Sequence, residues 1–177
     1  MKQVLIIIAL IAAPFIGSAQ SAFDAFENEK DVTSVVVTKN MFKLLSKMDL
    51  ESDDAEVKEY LKMIDNLENI KIFTTDNPEV AGRMNSAVGT YLSGGRGLEE
   101  LMRVKEDGKD IKFYSKEGKN ENFVSELLMH LQGNVEGKNM SVIMSITGNI
   151  DLKQISKLTK DLNVPGGENL DDLNKNK

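Results

Sequence analysis

Residues 98–116 read LEELMRVKEDGKDIKFYSK. Leu98 to Glu106 alternates apolar and polar residues, Asp107-Gly108 is the dipeptide of a tight hairpin turn, and Ile111 to Lys116 alternates again, so the stretch predicts two antiparallel strands. The pattern continues downstream. Glu117 to Asn122, with Gly118, predicts a loop; Phe123 to Gln132 predicts a strand; Gly133 to Asn139 predicts a turn; and Met140 to Thr147 predicts a fourth strand. Turn residues at this regular spacing are the mark of an antiparallel meander.

Upstream the period is mixed. Ser21 to Lys30 suggests a short helix with Phe23 and Phe26 on one side, and Val32 to Thr38 (VTSVVVT) is a strand by its β-branched content. Met41, Leu44, Leu45 and Met48 recur at i, i+3, i+4 and i+7 and are expected to form the inward stripe of a helix. Asp53 with Glu56 resembles a capping box for a second helix, in which Val57, Tyr60, Leu61, Ile64 and Leu67 hold the stripe. Ile70, Ile72 and Phe73 lie in a strand. Asn77 followed by Pro78 predicts an N-cap with proline in the first turn of a third helix, which Gly94, Gly95 and Gly97 close. Asp151, with Gln154 three residues on, caps a last helix whose Leu152, Ile155, Leu158 and Leu162 face inward.

The order β, α, α, β, α, four strands, α implies an α+β fold: a two-layer sandwich with a mixed six-stranded sheet, a C-terminal antiparallel meander, and helices mainly on one face. Leu127, Leu128 and Met129, like Ile143, Met144 and Ile146, place apolar residues on both parities. Part of the second sheet face is therefore expected to be covered, by the first helix, a partner or another copy.

The N-terminus reads as an export signal. Lys2 supplies a positive start, Val4 to Ile16 is an apolar run shorter than the about 20 residues of a membrane-spanning helix, and Gly17, Ser18 and Ala19 are small. Cleavage is expected between Ala19 and Gln20, which divides the chain into a leader over 1–19, one α+β domain over 20–164, and a tail over 165–177 expected to be disordered. The expected address is periplasmic or extracellular. Because the 177-residue chain has no cysteine, lipid attachment at the cleavage site, thiol catalysis, zinc–thiolate and iron–sulfur sites are excluded. A net charge of −6 from 28 acids against 22 lysines and arginines, one unit more negative once Lys2 is lost, argues against nucleic acid as a partner. No transmembrane segment is expected in the mature chain.

With the segments in place, VTSVVVTKNMF (residues 32–42), LEELMRVKEDGKDIKFYSK (98–116) and SITGNIDLKQISKL (145–158) resemble an uncharacterised family of exported Bacteroidetes proteins designated domain of unknown function 4252. These motifs are structural: a strand-to-helix corner, a hairpin and a strand-to-helix exit. The resemblance implies compartment and fold, and carries no catalytic residues.

No convergent catalytic set stands out. His130 is the single histidine, with Glu126 four residues away on the same strand face; it reads as a half-buried strand residue rather than a general base. No Gly-x-Ser-x-Gly elbow exists. Asp49, Glu51 and Asp53 occupy the first, third and fifth positions of a calcium loop, but Asp54 stands where glycine is required and Tyr60 where the bidentate glutamate belongs. Arg96, among Gly94, Gly95 and Gly97, offers a cation for an anion, although these glycines follow a helix and read as its C-terminal cap. No cofactor motif is present. The reading is an exported, non-enzymatic protein that binds an envelope component or itself through the sheet. The alternative is a carboxylate-dependent hydrolase or small-ligand carrier with a site between helices and sheet.

Overall fold

The computed structural model describes residues 22–48, 55–120 and 123–171. The expected leader with its expected cleavage site at Ala19 and Gln20, the acidic candidates Asp49, Glu51 and Asp53, and the last six residues lie outside them.

After a 3-10 turn at Asp24–Phe26, strand β1 (Thr33–Thr38) runs directly into helix α1 (Lys39–Met48). Helix α2 (Ala55–Asp65) precedes β2 (Leu67–Thr75). Helix α3 (Pro78–Ser93) starts as its sequence demands: the Asn77 side chain accepts hydrogen bonds from the backbone N–H groups of Glu79 and Val80, and Pro78 occupies the first turn. The meander follows as β3 (Glu99–Glu106), β4 (Lys109–Glu117), β5 (Phe123–Val135) and β6 (Lys138–Asp151). Helix α4 (Leu152–Asp161) is capped by Asp151, whose side chain accepts from the Lys153 N–H.

The strands form one sheet in the order β1-β2-β6-β5-β4-β3. Every neighbouring pair is antiparallel, which corrects the expected mixed sheet. The reason is the number of helices between β1 and β2. A single crossover helix returns the chain parallel, whereas α1 and α2 in succession reverse it once more.

The sheet is buried on both faces. Phe42 of α1, Met63 and Ile64 of α2, and Ile155 and Leu158 of α4 pack on the side of Ile70, Phe113, Leu127, Met129, Val142 and Met144. On the opposite side Phe23 and Phe26, together with Val80, Met84, Val88 and Tyr91 of α3, cover Phe73, Leu128 and Ile143. Three of the four helices thus share one face. The second face, expected to be covered by the first helix or by another molecule, is covered largely by α3 with the N-terminal turn. Lys71 of β2 pins that turn through ion pairs to Asp24 and Glu27.

Three local expectations are corrected. In α1 the inward residue is Phe42, while Met41, Leu44 and Leu45 of the expected stripe are exposed. The 3.6-residue period locates an apolar stripe, but the β1–α1 corner sets which side meets the sheet. The turn expected over Gly133 to Asn139 narrows to Glu136-Gly137, both with positive φ (50° and 84°), a hairpin turn of the same kind as Asp107-Gly108. Gly133 lies inside β5, where a Cβ would stand 2.1 Å from the carbonyl oxygen of Gly108. A glycine inside a strand here marks close backbone approach and not a reversal. Finally, the tail expected to be disordered is ordered through Asp171: Gly167–Asp171 form a 3-10 turn, and Leu170 is fully buried beside Val164.

Candidate functional site

Two features of the surface and near-surface are candidates: a polar seam beneath α3, and the edge formed by β1 and α1.

The seam is built by the pleat of β5. Leu127, Met129 and Leu131 face the larger core, which turns Glu126, Leu128, His130 and Gln132 toward α3. At one end the Tyr91 hydroxyl of α3 donates to Glu126 Oε1 at 2.6 Å, and the Arg96 guanidinium lies 4.5 Å from the centre of the Tyr91 ring. Burial and then this acceptor push the Tyr91 hydroxyl up to about 12. Past Leu128, His130 Nε2 lies 2.9 Å from Asn85 Oδ1 of α3 and 3.3 Å from Gln132 Nε2, and Ser141 Oγ reaches the same Asn85 oxygen at 3.4 Å. Burial, reinforced by the Lys112 charge and opposed by Asp110, holds the imidazole down at about 4. The ring is therefore neutral at physiological pH.

Arg96 and Glu126 thus converge on one aromatic ring, and His130 shares their face as the strand register requires. Glu126 is engaged by Tyr91, however, and His130 by Asn85, so no carboxylate orients the imidazole in the manner of a hydrolytic triad. Asn85, Asp110 and Lys112 join Tyr91 in the seam and were not singled out in the sequence. For Asn85 the signal was there: it lies between Met84 and Val88, near the inward side of the α3 period. Among the described residues no group of three His, Asp or Glu side chains is arranged to hold a metal ion.

The two sheet edges differ in chemistry. β3 (EELMRVKE) carries Glu99, Glu100, Arg103, Lys105 and Glu106, charges of the kind that discourage strand addition. β1 (TSVVVT) carries none. Val35 and Val36 are 40% and 39% exposed, and on the adjoining helix Met41 and Leu44 reach 47% and 54%. Among the described residues no helix is long and apolar enough to cross a membrane.

Among the described residues, an antiparallel six-stranded sheet closed on both faces by four helices makes this an α+β domain. The chain belongs to the family described as Domain of unknown function (DUF4252), whose model matches residues 26–158. No curated protein matches it. Among solved structures, the Saccharomyces cerevisiae Ran-binding protein Mog1p is 15% identical over 52% of this chain and 56% of its own, with a TM-score of 0.26, a likeness that carries no argument.

Proposed function

We propose that the protein is an exported, non-enzymatic interaction domain that associates through the β1 edge, with a second copy of itself as the partner. The observation that carries this reading is the contrast between the two edges: β3 is guarded by five charges and β1 by none. The apolar run from Val4 to Ile16 supports export, and the envelope is where the partner would be met.

Symmetry favours a second copy. A two-fold axis normal to the sheet pairs β1 antiparallel with its own copy and keeps each sheet face on the same side. Because α1 packs over β1 and β2, the same operation brings α1 beside its copy. One contact then covers both the β1 edge, which pairs with β2 alone among the described residues, and the helix that exposes Met41, Leu44 and Leu45. Sedimentation of the chain from Gln20 onward tests this. The expected result is a dimer that Val36→Lys, a charge placed on the edge, converts to a folded monomer. A wild-type monomer throughout the micromolar range, or a dimer untouched by Val36→Lys, overturns it; a strand from a different envelope protein would then be the occupant to seek.

A further inference from the structure

Strand β1 reads TSVVVT, and the packing assigns its two faces. Val37 packs against the larger core and stands opposite Ile70 of β2; Val35, opposite Ile72, shares that side of the sheet with α1. Val32 packs against the smaller core and Ser34 stands opposite Phe73, so Ser34, Val36 and Thr38 share the side of α3. An exposed valine is left on each face, Val35 on one and Val36 on the other. Symmetry restricts how such a strand meets a second copy. A two-fold axis normal to the sheet keeps each side chain on its own face, and residues directly opposite one another in an antiparallel pair share a face. Opposed residues therefore differ by an even number of positions, which sets one residue of β1 on the axis, facing itself.

We propose that β1 recognises its own sequence in the register that sets Val36 on this axis. The inference rests on the association through β1 proposed above and adds the register to it. Val35 and Val36 are the axis positions that pair the greatest length of the strand, Thr33 to Val37 or Ser34 to Thr38. With Val35 on the axis, Ser34 meets Val36 of the copy and Thr33 meets its Val37, so every pair but the central one sets a hydroxyl against a valine. With Val36 on the axis, Val36 meets Val36, Val35 meets Val37, and Ser34 meets Thr38. Valine then covers valine on both faces of the sheet, and the hydroxyls at the ends can hydrogen-bond one another; matched cross-strand pairs of this kind stabilise a sheet. The same register sets the lysine of Val36→Lys against its own copy, like charges directly opposite. Assembly stops at two copies, because the outer strands that remain are both β3, whose charges discourage a further strand.

The chain has no cysteine, so introduced cysteines read the register directly. Residues facing themselves on the axis have Cα atoms about 4.5–5.5 Å apart, within the span of a disulfide, whereas a residue one position off the axis lies about 8 Å from its own copy, beyond that span. The chain from Gln20 onward carrying Val36→Cys or Val35→Cys is oxidised with copper phenanthroline and run on a non-reducing gel, with sedimentation of the reduced protein alongside. The expected result is that both reduced variants sediment as dimers, that Val36→Cys doubles in mass on oxidation, and that Val35→Cys does not. Ser34→Cys mixed with Thr38→Cys gives a second reading that leaves the valines in place: a disulfide forms in the mixture and in neither variant alone. Sedimentation separates the two ways of failing. Reduced variants that are all monomeric, like the wild type, overturn association and register together. A dimer that crosslinks through Val35→Cys, or through none of these cysteines, overturns the register and leaves the association standing.

Discussion

The Tyr91 hydroxyl of α3 and the Glu126 carboxylate of β5 meet at 2.6 Å across the interface between the helix and the sheet, with Glu126 only 8% exposed. Removing the donor leaves a buried carboxylate oxygen short of a partner, which costs about 1–3 kcal/mol or more for a charged group. Tyr91→Phe is therefore expected to destabilise the fold by about 2 kcal/mol in denaturant unfolding. Glu126→Leu in the Tyr91→Phe background is expected to recover much of that loss, because it removes the stranded group. A double variant no more stable than Tyr91→Phe would show that the bond matters little.

His130 makes stability depend on pH. Its folded value of about 4 lies below the ordinary 6.5, so between these values the unfolded chain binds more protons than the folded one. Stability from this group is complete above 6.5, falls as pH drops toward 4, and is flat below. The full loss is about 3 kcal/mol. The charged groups near the ring are Asp110 and Lys112 of β4, and α3 presents the neutral Asn85. Unfolding free energy measured from pH 7.5 to 4 is expected to fall less steeply in His130→Asn than in the wild type, the carboxylates contributing equally to both.

The two sides of α1 are expected to respond differently. Phe42 is 3% exposed within the larger core, and Phe42→Ala is expected to cost about 3–4 kcal/mol. Leu44→Lys, on the exposed side, is expected to change monomer stability by no more than about 0.5 kcal/mol. Chemical denaturation at low protein concentration separates the two, and a large effect of Leu44→Lys would place that side chain inside the monomer.

Gly133 and Gly148 hold strand positions that no other residue fills. Their φ values are 132° and 135°, and an added Cβ would lie 2.1 Å from the Gly108 oxygen and 2.5 Å from the Asn66 oxygen. Because the obstructing atoms are backbone, neither clash is relieved by a rotamer change. Gly133→Ala and Gly148→Ala are each expected to cost about 3 kcal/mol or more, read as a lowered thermal midpoint.

Leu170 anchors the C-terminal turn. Leu170→Ala is expected to destabilise by about 2–4 kcal/mol, and truncation after Val164 by at least as much. A truncated chain as stable as the full one would return this segment to the status of a tail.

The strands of the meander, the α3 cap at Asn77-Pro78 and the Asp151 cap were legible in the sequence because turn chemistry and capping act over a few adjacent residues. So was the placement of Glu126 and His130 on one strand face, since a pleat has period 2. Strand order, the exposure of Met41 and Leu44 in place of Phe42, the burial of Leu170, and the meeting of Asp110 and Lys112 with Asn85 were settled by the tertiary structure alone. Each depends on which surfaces the helices lay against the sheet, and periodicity in a chain locates an apolar face without naming the face it will bury against. The glycines show the same division: Gly108 reads as a turn from its neighbour Asp107, whereas the role of Gly133 depends on the backbone of Gly108, which only pairing of β4 with β5 brings to where a Cβ on residue 133 would stand.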